Sequence, residues 1–240
     1  MAISLEGRRV AVFGASSGIG LACVRRFVAL GTRVEAVARS GDRLRARVGD
    51  LPGVRPCALD ACQDVALAQF FAATGPLDHV VVSLVSGPYF GPFAGLTPEA
   101  LRRSLDGKLL PYVNIARRAL ASLRDGGTIT WVTGLAARRA TPSGVALAAI
   151  NGALEGMLPT LAAELAPIRI NAVSPGPTDT EAWDRISPEL RRKLADEAAA
   201  TTPLGRMASA DDVCDAVLAA MTSPFLTGVV IPCDGGRHLA

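Results

Sequence analysis

Arg8-Arg-Val-Ala-Val-Phe-Gly14-Ala-Ser-Ser-Gly18-Ile-Gly20 decides the architecture. Arg8 to Gly14 is a short β-rich apolar run without alternation, the pattern of a strand buried on both faces in a parallel sheet. From Ile19 to Leu30 apolar positions recur at helical spacing, and Gly31 supplies the stop. Between them lies a turn with few side chains. Its backbone is free to bend sharply and approach a pyrophosphate, while the helix start offers unpaired N–H donors.

The same alternation continues along the chain. Strands are predicted at Arg33–Ala38, Val54–Leu59, His79–Leu84, Thr128–Thr133, Ile168–Val173 and Gly228–Ile231. Helices are predicted from about Asp42, at Val65–Ala73, Pro98–Leu123 with a bend at Pro111, Ser143–Ala166, Thr180–Ala200 and Ala210–Met221. This order predicts one α/β domain over 1–240, a Rossmann-like doubly wound parallel sheet of about seven strands with helices on both faces. Its cofactor half spans about 1–125, and its substrate and oligomerisation half about 126–240. Ligands bind outside the carboxyl ends of such strands, so the loops after Phe13, Ala38, Leu59, Leu84, Thr133 and Val173 are the ones to search.

Composition narrows the partners. Of 240 residues, 50% are apolar and 20% charged, with a net charge of +3. That excludes a disordered or collagenous chain and gives no field for nucleic acid or a membrane surface. Only Lys108 and Lys193 are lysines among the 25 basic residues. The five cysteines lack metal-ligand spacing, so no metal is expected and buried free thiols are. The apolar stretch near Ser143–Ala166 carries Asn151, Glu155, Pro159 and Glu164, which argues for burial in protein rather than lipid. The N-terminus does not read as a signal peptide, and a cytoplasmic location is expected.

The spacing Gly-x-x-x-Gly-x-Gly resembles the short-chain dehydrogenase/reductase family, and the resemblance extends over almost the whole chain. Asp60 matches that family's adenine-contacting aspartate. Ile168-Arg-Ile-Asn-Ala-Val-Ser-Pro175-Gly176 resembles its segment near the nicotinamide, with Thr178 and Thr180 following, and Gly228–Gly236 resembles its closing strand and loop. The resemblance implies a dinucleotide held by Gly14, Ser16, Ser17, Gly18, Ile19, Gly20, Arg39, Asp60, Pro175, Gly176, Thr178 and Thr180. It also implies a homodimer or homotetramer. An acidic residue at the end of the second strand would favour NAD; here stand Val37-Ala38-Arg39-Ser40, and Arg39 suits the 2′-phosphate of NADP(H).

At the reaction end the family's pattern fails. Its usual chemistry uses a tyrosine as proton donor, a lysine four residues later, a serine and an asparagine. Alignment puts Leu147 at the tyrosine, Asn151 at the lysine, Gly134 at the serine with Thr133 just before, and Lys108 at the asparagine. The only tyrosines, Tyr89 and Tyr112, have no lysine four residues on. Lysine and asparagine have exchanged positions, so Lys108, Asn151 and Thr133 become the candidate catalytic groups. Lys108, desolvated among Leu147 and Ile150, is a candidate proton donor of depressed pKa; the alternative is pairing with Asp106 or another carboxylate. Ser86, Tyr89, Arg138 and Arg139 are further pocket candidates.

Three readings follow from these residues. The first is an NADP(H)-dependent oxidoreductase of an unidentified small molecule, working without the Tyr-x-x-x-Lys proton donor. The second is a dinucleotide-binding homologue without turnover, and the third a dehydratase or cyclase on the same fold.

Overall fold

The computed structural model describes residues 3–85, 90–185 and 187–240. Seven parallel strands form one sheet: β1 (Arg9–Phe13), β2 (Arg33–Ala38), β3 (Val54–Ala58), β4 (Leu77–Val82), β5 (Leu123–Val132), β6 (Arg169–Pro175) and β7 (Val230–Cys233). Their spatial order is β3-β2-β1-β4-β5-β6-β7. The chain steps outward from β1 in one direction, then returns to its other side for β4. That reversal opens a crevice at the carboxyl ends of β1 and β4. The register places Phe13 beside Val82 and Val132 beside Val173, so the following loops share one rim.

Helices cover both faces because each strand between them is apolar on both sides. On one face α3 (Asp64–Thr74), α5 (Leu110–Ala119) and α6 (Val145–Glu164) bury Phe13, Phe70, Phe71, Tyr112, Trp131 and Leu154. On the other, α1 (Gly18–Ala29), α2 (Gly41–Val48) and α8 (Ala210–Thr222) bury Val12, Phe27, Leu44, Val217 and Met221. Thr178–Asp179 and Ala208–Ser209 pair as a small separate ladder, which the sequence pattern does not announce.

Several boundaries differ from expectation. Instead of one helix from Pro98 to Leu123, α4 (Pro98–Ser104) passes through a π turn (Leu105–Leu109) into α5, which ends at Ala119. Pro111 has no N–H to give the carbonyl one turn back, and its ring crowds that carbonyl; the chain widens the preceding turn. Ser104, Lys108 and Tyr112 all face inward across it. The expected helix over Thr180–Ala200 divides into a 3₁₀ turn (Glu181–Arg185) and α7 (Pro188–Ala200), because Ser187 caps a fresh start before Pro188. Strand β4 begins at Leu77 rather than His79, and β7 at Val230 rather than Gly228. The free thiols are also less uniform than expected: Cys23 and Cys214 are buried, whereas Cys62 is exposed.

Candidate active site

The glycines of the first turn are required by contact as well as by conformation. Gly14 has φ +90°, and a Cβ there would collide with the carbonyl oxygen of Ser83 at the end of β4. A Cβ on Gly20 would strike the carbonyl oxygen of Gly14, so α1 starts directly against the turn. Ser17 is the N-cap of α1 but makes no side-chain cap bond; Ser16 is buried and Ile19 half-buried beside it. The N–H of Gly18 donates to Glu181 Oε2 at 2.7 Å. A carboxylate therefore occupies the positive end of α1, where a phosphate group of a dinucleotide would sit. Burial opposes the Glu181 charge, but backbone N–H bonds, including that of Gly18, and nearby Arg47 and Arg25 hold its carboxyl below the usual range. The cradle thus fits an anion.

Other expected cofactor positions line the same rim. Arg39 and Asp60 are exposed at the ends of the neighbouring strands β2 and β3, and Asp60 Oδ1 accepts from the Cys62 N–H at 3.0 Å. Glu35 lies at the opposite end of β2, held by Arg9 at 2.9 Å and Arg55 at 2.5 Å, so it does not compete for a ribose. Pro175 ends β6 and Gly176 leads on to Thr178, whose hydroxyl donates to the Gly176 carbonyl at 3.0 Å. The Thr180 methyl carbon would stand 3.3 Å from a Cβ on Gly18.

At the reaction end, the π turn carries Lys108 to the carboxyl end of β5. Its Nζ donates to the Thr133 carbonyl at 3.0 Å and to Asn151 Oδ1 at 2.9 Å, and lies 5.5 Å from the Tyr112 ring centroid. The two residues that exchanged positions are thus in direct contact. Among the described residues Lys108 pairs with neither Asp106 nor another carboxylate: a carbonyl and an amide receive the amine. Lys108 is 1% exposed, and desolvation, only partly offset by Glu155, lowers its pKa to about 7. With Oδ1 fixed by a cation, the Asn151 amide has one orientation. Its Nδ2 is buried and unpartnered, beside Gly134, where an added Cβ would stand 3.0 Å away.

Thr133 is tied differently. Its hydroxyl donates to Glu155 Oε1 at 2.7 Å, and Glu155 Oε2 pairs with Arg138 at 3.0 Å. Sequence reasoning missed Glu155 and Glu181. The available signal for the first was its place four residues after Asn151 on one helix face. Tyr112 is unavailable as an acid, since its hydroxyl donates to the Val132 carbonyl at 2.7 Å. Ser86 and Tyr89 lie outside the described residues. Among the described residues no group of His, Cys, Asp and Glu is arranged to hold a metal ion.

A family model described as enoyl-(acyl carrier protein) reductase matches residues 14–238. L-xylulose reductase of Bos taurus is 32% identical over 247 residues, covering 98% of each chain. A 2,3-dihydroxy-2,3-dihydro-p-cumate dehydrogenase of Pseudomonas putida is 31% identical over 259 residues, covering 99% of this chain and 97% of the relative. A small-chain dehydrogenase solved in complex with NADPH superposes with a TM-score of 0.85 at 29% identity, covering 98% of this chain and all of the other. The chain belongs to the short-chain dehydrogenase/reductase family, whose members work with NAD(P). By family it is of that oxidoreductase type.

Proposed function

We propose that this protein is an NADP(H)-dependent oxidoreductase of a small molecule that operates without the family's tyrosine proton donor. One observation carries the reading: a buried lysine with a pKa of about 7 grips Asn151 and leaves the asparagine's Nδ2 as an unspent donor. The dinucleotide, when bound, supplies or accepts the hydride. Gly14, Gly18 and Gly20 would give its phosphates a close backbone and the start of α1, and Arg39 would hold the 2′-phosphate. Lys108 is a positioning residue that orients Asn151 and holds or releases a proton at Nζ near neutral pH. Asn151 Nδ2 is the hydrogen-bond donor offered to an oxygen at the site.

Burial of both nitrogens also favours a second reading, dinucleotide binding without turnover. Calorimetric titration of nucleotide-stripped protein addresses the shared premise. NADPH is expected to bind at least about tenfold more tightly than NADH, about 1.4 kcal/mol, and Arg39→Leu to remove most of that preference. Binding of neither dinucleotide removes the oxidoreductase reading. Tight NADPH binding with no nicotinamide oxidation across varied carbonyl compounds favours the second reading over the first.

A further inference from the structure

Arg237, in the loop after β7, has two guanidinium nitrogens, Nε and Nη1, that are buried and without a hydrogen-bond partner. Buried donors are nearly always satisfied, and those of a charged group are the costlier ones to leave without an acceptor. The nearest acid in sequence is already committed. The Asp234 carboxylate accepts from the N–H of Gly236 at 3.0 Å, from the N–H of His238 at 2.9 Å and from His238 Nδ1 at 2.8 Å. The other charge acting on Arg237 is a second cation, Arg139. Burial first, then the charge of Arg139, hold its pKa below the usual guanidinium range, and Asp234 offsets this only in part.

Arg139 makes no ion pair among the described residues, whereas its neighbour Arg138 is neutralised by Glu155 at 3.0 Å. Both arginines stand in loops at the carboxyl rim of the sheet. Arg139 follows the 3₁₀ turn Leu135–Ala137 that leaves β5, immediately after Thr133 and Gly134. Arg237 follows Asp234, whose Cα would stand 3.0 Å from a Cβ on Gly176 in the loop after β6. Unpartnered guanidinium donors within the field of a second cation describe a site for an anion, and the flat guanidinium fork matches a carboxylate.

We propose that Arg139 and Arg237 receive a carboxylate of the substrate, so that the small molecule turned over by this protein is an organic acid. The inference rests on the oxidoreductase reading for the word substrate, but the anion site itself does not. A carboxylate of a second copy of the chain would satisfy the same chemistry, and the experiment separates the two sources.

Thermal unfolding of the full chain is followed with malonate at fixed ionic strength, with and without NADPH, for the wild type, Arg237→Gln and Arg139→Gln. Malonate is expected to raise the wild-type midpoint saturably, and each variant to need at least tenfold more for the same shift. Without malonate, Arg237→Gln is expected to unfold no earlier than the wild type, since it removes two buried guanidinium nitrogens that have no acceptor. An equal malonate response in all three proteins, or none in the wild type, overturns the proposal. A wild-type midpoint that climbs with protein concentration, loses that climb in Arg237→Gln and ignores malonate assigns the carboxylate to a second copy and overturns it too. An arginine-dependent malonate shift in a protein that calorimetry finds unable to bind NADPH leaves the anion site standing and removes only the oxidoreductase reading.

Discussion

A lysine amine sealed from water keeps its charge only against the free energy of desolvation, and Lys108 accordingly titrates near 7 instead of near 10.5. Between those values the unfolded chain holds the proton and the folded chain has released it. The unfolded state then binds more protons, so stability rises with pH across that window. Urea unfolding of the wild type is expected to gain up to about 1.4 kcal/mol per pH unit between pH 7 and 9, relative to Lys108→Met. Parallel profiles for the two proteins would remove the depressed amine from the account. The lysine stood out in the sequence because the chain has only one other, Lys193. Its asparagine partner was legible as the other half of an exchange between two helices. Glu155 was not legible, because a glutamate on a helix ordinarily reads as part of a solvated face. Only closure of α6 on β5 places its carboxylate between the Thr133 hydroxyl and Arg138.

Elements set which of these groups meet. The strands were legible because burial on both faces leaves continuous apolar runs, and because the glycine turn between β1 and α1 has a spacing of its own. The π turn was not, since apolar periodicity reports a helix without reporting the width of one turn. Pro111 marked the place, but the outcome is a widened turn that seats Lys108 rather than a bend. The split after Thr180 was equally hidden, and it matters for the cofactor. The 3₁₀ turn beginning at Glu181 brings a carboxylate onto the Gly18 N–H, so an incoming phosphate and the protein's own acid compete for one helix end. Glu181→Gln keeps the shape and removes the charge. Its calorimetric affinity for NADPH is expected to rise by several-fold, up to about tenfold. An affinity that is unchanged or weaker means that Glu181 assists the bound state instead of opposing it.

At the scale of the whole molecule, α6 is the element whose surroundings are incomplete. Ala146, Ile150, Leu154 and Leu158 pack inward, whereas Val145, Ala149, Gly152, Gly156, Pro159 and Ala163 are exposed. The helix is apolar and long enough to cross a membrane, yet only one face of it is buried. The sequence expectation of a helix buried in protein therefore holds for one face alone. Nothing lies within 4 Å of where a Cβ would stand on Gly152 or Gly156, so another backbone has room to approach closely. The homodimer or homotetramer that the family resemblance implies would cover this face, α6 against α6, because a two-fold contact is self-complementary and small residues one turn apart bring helices close. Light scattering coupled to gel filtration is expected to find a dimer or tetramer for the wild type. Gly156→Arg, which sets a long cation on the face without touching the core, is expected to shift the protein to a smaller species while its circular dichroism stays unchanged. A monomeric wild type at micromolar concentration would refute self-association, and the exposed stripe would then be available to a different apolar partner.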